Sequence, residues 1–262
     1  MEYLIVSAVA LAVAALTLFS GFGLGTLLLP AFALFFPVDV AVAATAVVHL
    51  ANNLFKVGLV GRGAHGPTVV RFGLPAVLLA PVGALILAGT AQAAPLIQYD
   101  LGGRVFAVTA LKLLIAAVVG AFAAAELSSR FQSLALPPRY IPLGGALSGF
   151  FGGLSGHQGA LRTAFLARAG LGKEAFIGTM VVCAVLVDVS RLAVYGSTVL
   201  PAHLGSLRQG SGLSLVAVAT LAAFAGSFAG SRLLRKVAVH TVQILVGVLL
   251  LVFSVALGAG LL

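Results

Sequence analysis

Long apolar runs occupy most of the chain, at about 4–20, 38–60, 69–90, 104–125, 140–155, 173–196, 212–231 and 240–262. An α-helix rises about 1.5 Å per residue, so roughly 20 apolar residues cross the hydrocarbon core of a bilayer. Each run therefore predicts a main helical element. Two shorter apolar pieces, about 26–36 and 160–169, would reach only about 15–17 Å as helices, roughly half the core. Each follows a glycine-rich break. One is Gly21-Phe22-Gly23-Leu24-Gly25 and the other Ser155-Gly156-His157-Gln158-Gly159. Glycine ends helices and permits tight turns. The pattern predicts an all-α integral membrane protein of about eight main helical elements.

The order of elements repeats. A long helix, a glycine break, a half-length helix, a full helix and two more helices occur twice. At the shift that places Gly25 on Gly159, Leu27 falls on Leu161, Ala41 on Ala175, Thr45 on Thr179, and Val47-Val48 on Val181-Val182. Identities in an alanine- and valine-rich sequence are weak evidence, and the order carries the argument. Residues 1–126 form a first repeat and 140–262 a second. Residues 127–139 join them as a cytoplasmic linker.

Composition agrees with lipid as the main solvent. Of the 262 residues, 61% are hydrophobic and 8% charged, against roughly a quarter charged in a soluble domain. The net charge of +9 would suggest nucleic acid in a soluble protein. Here the bases lie mostly between apolar runs, where they set topology and meet anionic headgroups. No nucleic-acid partner is expected. The single cysteine, Cys183, sits in an apolar run with no metal motif around it. Glu2 precedes the first run and no basic region does, which argues against a cleaved signal peptide.

The same bases orient the repeats. Arg62 with Arg71, Arg130 with Arg139, and Arg232, Arg235 and Lys236 mark three basic loops. The loops near 91–103 and 197–210 are poorer. With the basic loops in the cytoplasm, segments 4–60 and 140–196 each make one net crossing. The long-plus-short pair in each must then enter and return on one side. Both chain ends and the turn at Pro37-Val38-Asp39 lie outside, and the turn from Arg168 to Lys173 lies inside. The two halves run in opposite senses, as an inverted-topology repeat with a glycine-broken hairpin in each half.

A chain break inside a bilayer is tolerated only where protein or water lines it. The short helices begin at Thr26 and Ala160, with free N–H groups and positive dipole ends aimed at the breaks. Two such ends facing one cavity make an anion site. Gly23, Gly25 and Thr26 belong to it from the first break, and His157, Gln158, Gly159 and Arg162 from the second. The plainer reading of these glycines is close helix packing. That plainer reading is preferred for Gly145, Gly149 and Gly153, and for Gly226 and Gly230. His49, Asn52, Asn53 and Lys56 are spaced three or four apart and share a helix face. Asp188 and Arg191 are neighbours at i,i+3 and pair, either as a neutralised bridge or as a relay. Lys112 stands alone in its helix, to snorkel or to counter Asp188.

Ser20 to Pro30 (Ser-Gly-Phe-Gly-Leu-Gly-Thr-Leu-Leu-Leu-Pro), followed by Ala43-Ala44-Thr45, resembles the N-terminal signature of the TauE/SafE (sulfite exporter) family of membrane permeases. Ser148 to Gly159 (Ser-Gly-Phe-Phe-Gly-Gly-Leu-Ser-Gly-His-Gln-Gly) is similar to its second copy. The resemblance covers essentially the whole chain. It implies a secondary transporter in the cell inner membrane that exports a small sulfur-containing anion: sulfite, sulfoacetate or another organosulfonate. The family's usual triple glycine and proline are altered. Here Gly23-Leu24-Gly25 stands in the first copy and His157-Gln158-Gly159 in the second, with Ala164 where the first copy has Pro30. The added polar groups suit a larger or more polar anion.

Two other classes compete. An anion channel would line a continuous pore with repeated polar rings, whereas the polar groups here cluster at two breaks. Gly153-Leu154-Ser155-Gly156 matches the short nucleophile motif of intramembrane serine proteases, which need a histidine base beside the serine. His203 and His240 lie near helix ends, at the wrong depth. No ATP-binding motif is present, so transport is expected to run on a proton or solute gradient by alternating access. No cofactor or metal is expected, and the pattern allows a homodimer.

Overall fold

A computed structural model describes residues 1–17, 24–209, 211–233 and 239–262. Gly23 and the rest of the first glycine break up to it lie outside these residues, as do Arg235 and Lys236. The main helices are α1 (Glu2–Thr17), α3 (Val38–Val60), α4 (Gly66–Ala91), α5 (Ala110–Leu127), α7 (Ile141–Ser155), α9 (Lys173–Ser197), α11 (Gly212–Leu233) and α12 (Val239–Gly258). The half-length helices are α2 (Leu24–Ala33) and α8 (Gly159–Leu166). Each begins one or two residues earlier than the sequence pattern places it. Helices α3, α4, α5, α9 and α11 are long and apolar enough to cross a membrane. Large apolar side chains such as Leu78, Leu221 and Val255 stand exposed on the outside. That is the surface expected of a protein dissolved in lipid.

Two regions depart from the predicted pattern. Residues 104–108 are not helical. Strands β1 (Ile97–Leu101) and β2 (Arg104–Val108) pair antiparallel, from Ile97 opposite Val108 to Leu101 opposite Arg104. Gly102 and Gly103 take φ +63° and +78° between them, which is what a tight two-residue hairpin turn demands. Helix α5 therefore starts at Ala110, where Thr109 caps it by accepting from the Lys112 N–H. The stretch read as the loop 197–210 contains a helix, α10 (Val199–Gln209). A four-residue turn, α6 (Ser129–Gln132), lies between the halves.

The pairing of helices carries the symmetry. Phe72, Ala76 and Ala80 of α4 meet Gly145, Gly149 and Gly153 of α7 in that order, so these helices run parallel. Leu11 and Ala15 of α1 meet Gly226 and Gly230 of α11, again in parallel. The other two pairs are antiparallel. In α3 and α9, Asn53 lies against Asp188, while His65 beyond the end of α3 meets Thr179. In α5 and α12, Lys112 reaches Gly260, Ser254 donates to the Ala116 carbonyl, and Leu127 lies against Gly247. Exchanging α1 with α7, α4 with α11, α3 with α9 and α5 with α12 maps this set of pairs onto itself. The self-paired helices are antiparallel, so the halves run in opposite senses. This is the inverted repeat read from the charge pattern.

The glycines make these contacts close. A Cβ on Gly149 would stand 2.1 Å from the Ala76 carbonyl oxygen, and one on Gly226 would stand 2.2 Å from that of Leu11. Both backbones would have to part. The expected packing role of the two glycine stripes is therefore observed.

The same pairings sort the loops into two ends. Arg62, Arg139 and Lys173 gather at one end, where Gly63 touches Glu174 and Leu136 donates to the Ala164 carbonyl. At the other end Asp39 lies by His203, and Tyr99 donates to the Ala259 carbonyl. Both chain termini belong to this second end, since Tyr3 bonds Ser214 at the start of α11.

Candidate functional site

The site forms where α3 and α9 cross the two broken hairpins. Helix α7 ends because Gly156 adopts φ +84°, returning its N–H to the Gly152 carbonyl at 3.0 Å. This is the left-handed helix stop that glycine allows without strain. The chain then turns through His157 and Gln158 and re-enters a helix at Gly159. No side chain caps α8. The Gln158 carbonyl is fixed by Ser148 Oγ at 2.9 Å. The first broken hairpin meets the second here: a Cβ on Gly25 would lie 3.4 Å from the Gly156 carbonyl oxygen and 3.5 Å from the His49 ring. Helices α2 and α8 are largely buried, so neither lies flat on the surface.

Asp188 is the hub. Its Oδ1 accepts from Arg191 Nη2 at 2.7 Å, from Arg191 Nε at 3.1 Å and from Gln158 Nε2 at 3.0 Å. Its Oδ2 accepts from Asn53 Nδ2 at 3.1 Å and faces His49 Nδ1 at 2.6 Å. Arg191 also donates to the Gly152 carbonyl at 3.1 Å, tying α9 to the last turn of α7. Gln158 Oε1 accepts from Arg162 Nη1 at 2.9 Å. A chain of bonds thus joins α3, α9 and the second break. Asp188 and Arg191 are wholly buried. The i,i+3 pairing read from spacing is present, and it is one arm of a larger network.

The remaining candidates fall around this hub. Asn52 is buried, and its Oδ1 accepts from Ser227 of α11 at 2.8 Å while its Nδ2 has no partner among the described residues. Lys56 is buried one turn further along α3, close enough to Arg162 for their charges to act on each other. Thr26 is buried in the first turn of α2. Gly23 lies outside the described residues. Lys112 is far from Asp188: its Nζ donates to the Ala107 carbonyl at 2.8 Å, at the end of the molecule that carries the hairpin. The alternative that it counters Asp188 is thus excluded.

Three polar partners escaped the sequence reading. Tyr195 is buried and donates to the Gly153 carbonyl. Its signal was available, since it follows Arg191 by four residues on one helical face. Ser148 and Ser227 gave no such signal, because their partners come from distant elements.

Ser155 does not have the setting of a nucleophile. Its hydroxyl donates to the Phe151 carbonyl at 3.1 Å. His157 Nδ1 lies 3.2 Å from Ser155 Oγ, but equally 3.2 Å from the Ser155 carbonyl oxygen. A ring nitrogen facing a carbonyl is a donor, so it cannot serve as the base. Among the described residues no carboxylate orients the ring, and its Nε2 has no partner. The ring stacks on Phe122.

An inverted pair of helical repeats, with both broken hairpins meeting at a buried charged cluster, is the architecture of a membrane permease. The family model for sulfite exporter TauE/SafE matches residues 6–257, and the chain belongs to that family. Comparisons with curated proteins and with solved structures return no match.

Proposed function

We propose that this protein exports a small sulfur-containing anion, such as sulfite, sulfoacetate or another organosulfonate, by alternating access. One observation carries the reading. Three cationic side chains are buried in one cluster: Arg191 bonds Asp188, Arg162 is joined to Asp188 through Gln158, and Lys56 lies close to Arg162. Buried charge is costly unless it is offset. Asp188 offsets Arg191, and an anion at the start of α8, within reach of Arg162, offsets the buried charge of Lys56.

The start of α8 supplies backbone N–H groups to such an anion, and α2 the corresponding dipole end. Gly25, Thr26, Gly159 and Gln158 frame it, and His49, Asn52, Asn53 and His157 supply hydrogen bonds. Asp188 and Arg191 hold the α3–α9 crossing together. The repeats 1–126 and 140–262, joined by 127–139, then rock about this centre. The arginine-rich end faces the cytoplasm of the inner membrane and both termini face outward.

Efflux from proteoliposomes loaded with sulfite or isethionate tests the reading. Arg162→Ala should abolish efflux while the variant still purifies as a folded monodisperse protein. Normal efflux in that variant would remove Arg162 from the mechanism.

A further inference from the structure

We infer that His49 is a proton-binding site coupled to the anion site: one anion is bound together with one proton, held on His49 Nε2. The inference rests on the anion-site reading above and adds to it the ion that travels with the anion.

The geometry assigns the two ring nitrogens different tasks. His49 Nδ1 lies 2.6 Å from Asp188 Oδ2. A carboxylate anchored by Arg191, Gln158 and Asn53 is an acceptor, so Nδ1 carries a proton and donates it. The Asn53 amide lies 3.0 Å from Nδ1 and 3.4 Å from Nε2, but two donors do not bond, and its shorter bond to an acceptor is to Asp188 Oδ2 at 3.1 Å. Nδ1 is thus occupied in every protonation state. Nε2 is the atom that gains or loses a proton.

Nε2 is on the edge of the ring that faces the junction of the two breaks. A Cβ on Gly25 would lie 3.5 Å from Cδ2 and 3.7 Å from Nε2. The His49 side chain retains 12% exposure, whereas that of Asp188 has none. The Nε2 edge therefore lies against the start of α2, and the carboxylate behind Nδ1 is sealed.

The surroundings set the coupling. From α9, Asp188 and Arg191 act on the ring, and from α8 Arg162 does so. From α3 itself come Asn53 and, two turns on, Lys56. Helix α2 brings no titratable side chain at Gly25 or Thr26. A second proton on His49 adds a cation to a cluster that already holds more cations than carboxylates. An anion at the start of α2 and α8 compensates for that cation, and Nε2–H donates to it. Each ligand makes room for the other. By linkage the assistance is reciprocal: the proton tightens the anion as much as the anion tightens the proton.

Sulfate and isethionate are suitable probes, because neither titrates between about pH 5 and 8, where histidine does. Calorimetry on the detergent-purified full chain, in two buffers of different ionisation enthalpy, reads proton uptake directly. The wild type should take up close to one proton per anion at the alkaline end. Affinity should rise about tenfold for each pH unit lowered through the titration. His49→Gln should bind more weakly, take up no proton, and vary less than about twofold across the range. His203→Gln, at the far end of the molecule, should keep the uptake. Anion binding by the wild type with no proton uptake would overturn the inference and leave the anion site standing. Uptake that persists in His49→Gln, or vanishes in His203→Gln, would overturn it also. No binding of either probe at any pH would overturn the anion site itself. If His49→Gln does not fold, the wild-type measurement in two buffers still decides.

Discussion

Asp188→Ala is the perturbation whose size the structure defines best. The substitution removes the acceptor for two bonds from Arg191 and one each from Gln158, Asn53 and His49. Arg191 keeps its bond to the Gly152 carbonyl and its contact with Tyr195, but its charge stays wholly buried with no carboxylate bonded to it. Breaking a buried ion pair from one side costs about 3–5 kcal/mol. For a chain of this size about 2–4 °C of Tm accompanies each kcal/mol, so a fall of at least about 6 °C is expected. Removing both partners should be milder than the sum of the single changes, because no uncompensated charge remains. The expected coupling is at least about 2 kcal/mol, within the range measured for contacting residues. Cys183 provides the assay. It is the chain's one cysteine and is fully buried, so a thiol-reactive fluorophore reports unfolding with no further labelling. Asp188→Ala, Arg191→Ala and the double variant are compared in one detergent. Single losses under about 1 kcal/mol, or an additive double variant, would refute the reasoning, because the hub would then not be holding α3, α9 and the second break together.

Other predictions rest on independent features. Gly149→Ala should destabilise by about 1–3 kcal/mol or more, since its Cβ meets the Ala76 backbone. Gly58→Ala, where a Cβ meets nothing within 4 Å, should be neutral or stabilising by up to about 1 kcal/mol; the same thiol assay compares the two. Tyr195→Phe should cost about 0.5–1.5 kcal/mol through the lost bond to Gly153, and equal stability would show that bond to be idle. In a Cys183→Ser background, a membrane-impermeant maleimide should label Asp100→Cys from outside intact cells, and Arg62→Cys only after the membrane is opened. The reverse pattern would invert the topology.

The frame of this protein was legible in its sequence because lipid removes most alternatives. With little water to satisfy backbone groups, apolar runs of the right length must be helices, and bases must sit at their ends. Element order, half-length helices and the sense of each repeat follow from those constraints. The hairpin was missed although its signal was present: Leu101-Gly102-Gly103-Arg104 is a two-glycine turn between alternating apolar residues. The apolar strand β2 was absorbed into the helix that follows it, since over a few residues periodicity does not separate strand from helix. The hub around Asp188 was harder to read, because it joins α3, α9 and the second break. Only its i,i+3 arm and the shared face of His49, Asn53 and Lys56 are local in sequence.

The symmetry of the frame and the asymmetry of its chemistry together point to how the centre works. At the shift that places Gly25 on Gly159, Arg162 falls on Leu28, Asp188 on Leu54, Arg191 on Val57 and His49 on Cys183. The duplicated backbone brings the start of α2 to the second break, yet Arg162, Asp188 and Arg191 lie in the second repeat and Lys56 in the first, and none faces a like charge across the shift. Leu54, the sequence partner of Asp188, is about half exposed and does not face the centre, so the crossing holds one carboxylate; a second one on the buried face of α3 would repel the anion. One carboxylate against three cations keeps the crossing pinned and leaves the junction positive. Installing a second carboxylate on the buried face of α3, Asn52→Asp, one turn from Lys56, should therefore weaken sulfate binding at least about tenfold, the effect of about 1.4 kcal/mol. A calorimetric titration that found unchanged affinity in a folded Asn52→Asp variant would show that the surplus of positive charge is not what holds the anion.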